Sequence, residues 1–380
     1  MVNKKRLADT FMALVKIDSV SKEEAELARE IKKNFKSLGA EVLEDNSARK
    51  VGGDSGNLIV KFKGNVSVEP LLLNAHMDTV EPGRRVMPIL NEGIFSTNGD
   101  TILGADDKSA IAVLIEMMNV IKENNIANGP IEIVLTVCEE IGLMGAKNLD
   151  LSLLTSKFGY TLDATDTEGI VIKAPAANGL EFKVHGKDAH AGAAPEKGIN
   201  AISLAAKAIA ALDIGRIDRE TTCNIGVIQG GNAINIVPSL VTVKGEVRSH
   251  DKSKLDMVTN TVVSSFEDVV NNYINKDIDN NLPRIEVSIE KEFPNTNISE
   301  DHPAVILAQK AAKNLGRNMR TKITGGGADA NIFFEKGIVT GVLGTGMRDM
   351  HTVRESVDIE DMVRATELLI EIIKLHSNAF

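Results

Sequence analysis

The sequence has 380 residues, of which 43% are hydrophobic and 25% are charged, a composition typical of a globular protein. This length predicts two domains, or at most three. Its 53 acidic and 43 basic side chains give a net charge of −10, which argues against a nucleic-acid-binding protein because such proteins normally present a basic face.

The N-terminal stretch is amphipathic and contains no continuous apolar run. We therefore expect neither a signal peptide nor a membrane-spanning segment, and no association with a membrane. The two cysteines, Cys138 and Cys223, lie far apart and form no Cys-x-x-Cys pair. A disulfide framework or a cysteine zinc site is not expected, and a cytoplasmic location fits this cysteine usage.

The first third of the chain alternates predicted helices with apolar runs. Ser21 and Glu24 predict a capping box that starts a helix ending near Leu38, with Gly39 as its stop. A second helix is predicted over 108–121, and strands are predicted over 57–62, 71–75 and 131–138. This alternation predicts a doubly wound α/β domain with a largely parallel sheet.

A different rhythm begins after Pro175. Strands and helices are predicted in the order β-α-β-β-α-β, which is the ferredoxin-like pattern: 180–186, 199–212, 223–229, 240–248, 255–273 and 284–290. We therefore predict that residues 176–292 form an inserted α+β domain. The α/β domain comprises 1–175 and 293–380, and resumes with a helix from 302, a strand near 338–343 and a closing helix over 359–375.

Two polar residues, His76 and Asp78, follow the apolar run of the second predicted strand. In open α/β sheets, ligands bind beyond the carboxyl ends of the strands. Strand alternation would place both side chains on one side, so that His76 can ligate a metal ion while Asp78 fixes the orientation of its ring. The alternative is an ordinary polar strand end.

Further acidic residues occur at comparable positions. Asp106 precedes a helix, where capping is an alternative role. Glu139 and Glu140 follow an apolar strand, where they repel each other and need a cation or a raised pKa, unless they form a solvated turn. Asp163 ends another short apolar run and, taken alone, resembles a turn residue.

His351, which precedes the final predicted helix, completes this set of polar residues. The set as a whole indicates the chemistry of the site. A lone histidine is more often structural, but two histidines and three carboxylates together suit zinc, cobalt or manganese. One carboxylate can bridge two metal ions about 3.5–4 Å apart, as in two-metal hydrolases.

Several ordered motifs resemble the M20 family of metallopeptidases, in particular its tripeptide aminopeptidase (peptidase T) branch. The resemblance covers nearly the whole chain. The matching segments are NAHMDTVEPG, GADDKSAIA, TVCEEIGLMGAKNL, TLDATD, GKDAHAGAAPEKGINAI, GGNAINIVPS, GEVRSHD, GGGADANIF and MHTVRESVDIEDM.

The resemblance implies a zinc-peptidase catalytic domain of α/β fold with an inserted lid or dimerisation domain. It also implies two zinc ions, with cobalt or manganese as alternatives. By this resemblance Asp106 bridges the two ions, His76 and Asp163 complete one site, and Glu140 and His351 complete the other.

The same resemblance implies further roles. Asp78 would orient His76, and Glu139 would be the general base. Contacts to substrate are implied for His190, Asn235, Arg248 and Gly326. No local partner in the sequence explains a histidine at position 190, and in a homodimer formed through the inserted domain such a histidine can reach the partner's active site.

We therefore expect a metallo-exopeptidase that releases the N-terminal residue of small peptides. By resemblance, Asp163 in place of a glutamate favours this activity. Two alternatives stay open: an N-acyl-amino-acid deacylase or carboxypeptidase-type member of the same family, and a catalytically silent, metal-stabilised binding protein.

Overall fold

The computed structural model describes residues 1–378. The chain forms two compact units. Unit 1 comprises Met1–Lys173 together with the segment that starts at Thr296, and unit 2 comprises Ala174–Asn295. Unit 1 is built on a large mixed sheet and unit 2 on a smaller antiparallel sheet. The predicted α/β fold with an inserted ferredoxin-like α+β domain is confirmed.

The helices and strands are named here in chain order. The helices are α1 (Lys4–Val15), α2 (Ala25–Ser37), α3 (Ser47–Val51), α4 (Ala105–Glu123), α5 (Met144–Asn148), α6 (Ala201–Ala210), α7 (Lys252–Asn271), α8 (Pro303–Asn314), α9 (Asp329–Glu335) and α10 (Ile359–Ser377). The strands are β1 (Glu41–Glu44), β2 (Leu58–Phe62), β3 (Leu71–His76), β4 (Ile89–Asn91), β5 (Ile94–Ser96), β6 (Ile131–Thr136), β7 (Phe158–Ala164), β8 (Gly169–Ala174), β9 (Ala176–His185), β10 (Gly215–Arg216), β11 (Thr221–Gly230), β12 (Leu240–Ser249), β13 (Arg284–Phe293), β14 (Thr296–Asn297), β15 (Arg320–Ile323), β16 (Val339–Gly344) and β17 (Val357–Asp358).

The large sheet of unit 1 has the strand order β1-β2-β6-β3-β7-β16-β8-β14, with β15 beside β8. Its central strands β6, β3, β7 and β16 run parallel, whereas β1, β2 and β8 join antiparallel. The predicted parallel arrangement therefore holds at the centre of the sheet and not at its margins. Every residue of β3 and β6 is buried, as expected of strands covered on both faces.

Helix α4 occupies the core of unit 1 and is buried over most of its length, because its apolar residues occur on all sides. Helices α1 and α10 pack against it. Glu116, a buried carboxylate in the middle of α4, is compensated by Arg6, whose Nε lies 2.6 Å from Glu116 Oε2. The first turn of α4 lies beside the carboxyl end of β3, where the N–H of His76 donates to Asp107 Oδ2 at 3.2 Å.

Unit 2 has the strand order β10-β11-β12-β9-β13, and its strands are paired antiparallel. Helices α6 and α7 pack on this sheet, and the stacked rings of Phe182 and Phe266, with centroids 4.1 Å apart, lie in the core between them. The order and directions of β9, β11, β12 and β13 are those of a ferredoxin-like domain.

Two local predictions are wrong for the same reason, a tertiary contact that replaces a local one. Ser21 and Glu24 form no capping box: α2 begins at Ala25, Ser21 Oγ donates to Asp78 Oδ2 at 2.6 Å, and Glu24 accepts the N–H of Cys138 at 3.0 Å. Strand β6 ends at Thr136, so Cys138 lies beyond it with φ of 53°, rather than on the strand.

Within residues 1–378, none of the helices combines the length and the apolar character needed to cross a bilayer.

Candidate active site

Most of the predicted metal ligands lie at one edge of the large sheet. His76 ends β3, Glu139 and Glu140 follow β6, and Asp163 is the penultimate residue of β7. Because these three strands are parallel neighbours, their carboxyl ends share an edge. Asp106 joins them from the irregular first turn of α4, and His351 from the loop between β16 and β17.

Asp106 stands between the two histidines. His76 Nε2 is 3.0 Å from Asp106 Oδ1, and His351 Nε2 is 3.3 Å from Asp106 Oδ2. Each carboxylate oxygen therefore faces a different imidazole. His351 Nε2 also lies 3.0 Å from Glu140 Oε1.

These separations match those of atoms that share a metal ion. Two ligand atoms placed tetrahedrally, each about 2.0 Å from a zinc ion, are about 3.3 Å apart. Within residues 1–378, His76, Asp106 and Glu140 offer ligand atoms that all lie within 4.8 Å of one another. His351 is joined to this set through Asp106 and Glu140.

The hydrogen bonds around Asp106 shift the pKa values of its partners. Burial alone would raise the pKa of Asp106, but its hydrogen bonds with His351 and His76 outweigh burial and hold that pKa below its ordinary value. Burial lowers the pKa of His76, yet hydrogen bonds to Asp106 and Asp78 raise it well above the ordinary value. In the absence of metal, protonated histidines therefore supply the positive charge that the carboxylates need.

Two other carboxylates are not balanced in this way. Burial, together with neighbouring carboxylates, raises the pKa of Glu139 and of Asp163 well above the usual range. No hydrogen bond from residues 1–378 is made to the carboxylate of either residue. The donor set and the raised pKa values of these two carboxylates fit divalent cations, which stabilise the charged form of each ligand.

Asp78 contacts both the first predicted ligand and the glutamate pair. Its carboxylate accepts the N–H of Glu139 at 2.9 Å and that of Glu140 at 3.2 Å. His76 Nδ1 is 3.0 Å from the carbonyl oxygen of Asp78 and 3.4 Å from its carboxylate. Strand alternation does not explain these contacts between His76 and Asp78, because β3 ends at His76 and Asp78 lies in the loop that follows.

Buried carboxylates near the site to which the sequence assigns no role include Glu355 and Asp329. Glu355 accepts the N–H groups of Leu103, Gly104 and Asp106. Asp329, at the start of α9, accepts hydrogen bonds from the side chains of Thr136 and Asn74. Glu355 lies four residues after His351, and this spacing from a candidate ligand was the available signal.

The predicted substrate contacts are divided between the two units. Gly326 belongs to unit 1, where its N–H donates to Thr324 Oγ1 at 3.2 Å. His190, Asn235 and Arg248 belong to unit 2. The Arg248 guanidinium lies 5.7 Å from the centroid of the Phe293 ring and donates a hydrogen bond to Glu246. Asn235 is exposed, and its backbone carbonyl oxygen accepts the N–H of Ala191.

The expectation that His190 has no local partner is wrong. Its Nδ1 accepts the N–H groups of Gly192 at 3.2 Å and Ala193 at 3.0 Å. These donors require a lone pair on Nδ1 and so assign the proton of the neutral ring to Nε2. The exposed ring is therefore fixed by its own loop and presents an N–H donor.

Two family models match the chain. The model described as "Peptidase dimerisation domain", of the M20 class, matches residues 175–274. The model described as "Peptidase family M28" matches residues 57–187.

Curated and solved relatives match over nearly the full length. The uncharacterised protein YqjE of Bacillus subtilis is 41% identical, with 98% of this chain and 99% of that protein covered. The solved aminopeptidase PepT of Bacillus cereus is 38% identical, with a TM-score of 0.88 and 99% of each chain covered. A solved tripeptidase of Staphylococcus aureus is also 38% identical, with a TM-score of 0.92 and 100% of each chain covered.

The site makes a prediction for the metal-free protein. Hydrogen bonds to Asp106 and Glu140 raise the pKa of His351 to about 10, so its ring should stay protonated at about pH 8. Because the folded pKa is raised, this stabilisation is complete below about pH 6.5 and is lost as the pH rises through about 10. Histidine side-chain ¹⁵N shifts of chelator-treated protein measure it, with His351→Asn assigning the signal. Titration of His351 near pH 6.5 would contradict the geometry.

Proposed function

The chain belongs to the peptidase T-like branch of the M20 family of metallopeptidases, hydrolases that act on peptide bonds, and we propose that it is a two-zinc aminopeptidase releasing the N-terminal residue of small peptides. The observation that carries the two-metal part is Asp106, whose oxygens lie 3.0 Å and 3.3 Å from two different imidazoles. A carboxylate so placed can bridge two cations.

In this proposal the donors divide into two sets that share Asp106. His76 and Asp163 complete one site, and Glu140 and His351 complete the other. The contact of 3.0 Å between His351 and Glu140 supports the second set. The first set is supported by Asp163, near the end of β7. The charge of Asp106 is among the causes that raise the pKa of Asp163, so the two carboxylates lie close enough to interact. Nitrogen and oxygen donors of this kind suit zinc, with cobalt or manganese as alternatives.

Glu139 is the proposed general base. Bound divalent cations would lower the pKa of a water molecule they hold and polarise the carbonyl oxygen of the substrate. Glu139 then accepts the proton of the attacking water and passes it to the leaving amine. The main-chain N–H of Glu139 is held by Asp78, which fixes the base next to the ligand Glu140.

The substrate class is supported by relatives. The two solved relatives at 38% identity are described as an aminopeptidase and as a tripeptidase. We therefore propose tripeptides and similarly small peptides as substrates, with Gly326 near the substrate's terminus.

Unit 2 supplies the remaining proposed contacts. His190 presents an N–H donor on a ring that Gly192 and Ala193 hold in place, which suits stabilisation of a developing oxyanion. Asn235 and Arg248 are proposed to contact the substrate as well. Because the match over 175–274 is to a dimerisation domain, the proposal includes a homodimer formed through unit 2, in which His190 serves its own or the partner's site.

A cytoplasmic location completes the proposal. It is supported by the two cysteines, Cys138 and Cys223, which are buried and form no disulfide, as is usual in a reducing compartment.

The adjacent glutamates provide a matched pair of variants. Glu139→Gln should keep the fold and the bound metal but lower kcat by about 10²–10⁴-fold, because it removes the general base. Glu140→Gln should instead lower the metal content, because it removes a ligand. Metal analysis and kinetics on both proteins measure the difference. Identical metal content in the two variants would show that the roles are wrongly divided.

The choice of substrate is tested on paired peptides. We expect release of the N-terminal residue from unblocked tripeptides, and resistance of the same peptides when acetylated, because acetylation removes the ammonium charge. Mass spectrometry of a peptide-library digest shows which end is cut. Efficient cleavage of N-acyl amino acids, or release of C-terminal residues, with no action on free tripeptides would identify a deacylase or carboxypeptidase instead. No turnover with metal bound would identify a silent binding protein.

A further inference from the structure

Glu355 is a buried carboxylate outside the proposed ligand set, yet it joins the first turn of α4, which carries Asp106, to the loop that carries His351. We propose that Glu355 is a positioning residue that fixes these two segments relative to each other and thereby sets the affinity of the site for divalent metal. The inference rests on the proposed metal site and concerns a residue that has no ligand or base role in it.

Glu355 is 1% exposed, and both oxygens of its carboxylate accept backbone hydrogen bonds. Its Oε2 accepts the N–H groups of Leu103 at 2.8 Å and Gly104 at 2.7 Å, and its Oε1 accepts the N–H of Asp106 at 2.9 Å. One side chain therefore holds the backbone on which the bridging carboxylate is mounted.

The loop that carries His351 also contains Glu355. Its ends are closed by two backbone hydrogen bonds between Arg348 and Ser356, of 2.9 Å and 3.1 Å, and Glu355 N–H donates to Thr352 at 3.0 Å. Glu355 thus belongs to a short closed loop with His351. Fixing Glu355 to Asp106 also fixes the loop that brings His351 Nε2 to 3.3 Å from Asp106 Oδ2.

A carboxylate is required at this position because every contact is an N–H donor. Glutamine supplies one oxygen and one NH₂ group, so at least one of the three backbone N–H groups would face another donor. If the amide oxygen keeps Leu103 and Gly104, the N–H of Asp106 is the one left unpaired. A buried unpaired N–H is unfavourable, so the Asp106 backbone should shift.

The chain offers a matched control for buried-carboxylate loss. Glu132 is 4% exposed and accepts the backbone N–H groups of Thr155 and Ser156, but it lies near the amino end of β6, at the opposite edge of the sheet from the ligands. Glu132→Gln should therefore destabilise the fold in a similar way without disturbing the metal ligands.

The experiment measures the affinity of chelator-treated protein for zinc by competition with a chromogenic chelator. Glu355→Gln should bind zinc about 10–100-fold more weakly than wild type, whereas Glu132→Gln should bind it as wild type does. Excess zinc should restore kcat to Glu355→Gln with KM unchanged. Equal zinc affinity in wild type and Glu355→Gln would overturn the inference.

A milder variant keeps the test decisive if Glu355→Gln does not fold. Glu355→Asp retains the charge but is one methylene shorter, about 1.5 Å, so it cannot reach all three N–H groups. Weaker zinc binding by this variant supports the inference, and wild-type affinity overturns it. Failure of both variants to fold in saturating zinc, while Glu132→Gln folds, would also overturn it. Absence of zinc binding in wild type would instead reject the proposed function.

Discussion

Repulsion between carboxylates at the carboxyl ends of β3, β6 and β7 is the constraint on which this structure depends. Asp106, Glu139 and Asp163 are brought together where little water screens them, and burial with mutual repulsion raises the pKa of the latter two. Such an arrangement is unfavourable unless positive charge balances it. In the metal-free chain His76 and His351 supply part of that charge, and the proposed role of the divalent cations is to supply the rest.

Two features of the fold keep these charged side chains in place: the parallel strands that carry them, and hydrogen bonds from backbone N–H groups to supporting carboxylates. The parallel strands place ligands from distant points of the sequence on one edge. Asp78 fixes the backbone of Glu139 and Glu140, and Glu355 fixes that of Asp106. These two supporting carboxylates accept N–H groups of the backbone that carries Asp106, Glu139 and Glu140. The positions of the ligand atoms therefore depend on these backbone segments as much as on the ligand side chains themselves.

The sequence predicts the parts of this arrangement that depend on local pattern. Apolar runs followed by His76, Glu139 or Asp163 indicate strand ends, and parallel strands bring such ends together. Contacts between distant side chains have no such pattern: Ser21 bonds Asp78 rather than its own helix, and Glu24 reaches Cys138. The local partners of His190 are missed for a different reason. They lie only two and three residues away, but they are backbone N–H groups of a turn that residue types alone do not define.

Zinc titration of the wild-type protein tests the central claim most directly. Chelator-treated chains would be titrated calorimetrically with zinc, and activity would be followed at each addition. The account predicts about two zinc ions per chain, since Asp106 is proposed to bridge a pair, with activity returning as the sites fill. A stoichiometry of about one would contradict the bridging role of Asp106. A stoichiometry near zero, with activity untouched by chelators, would contradict the metal site altogether.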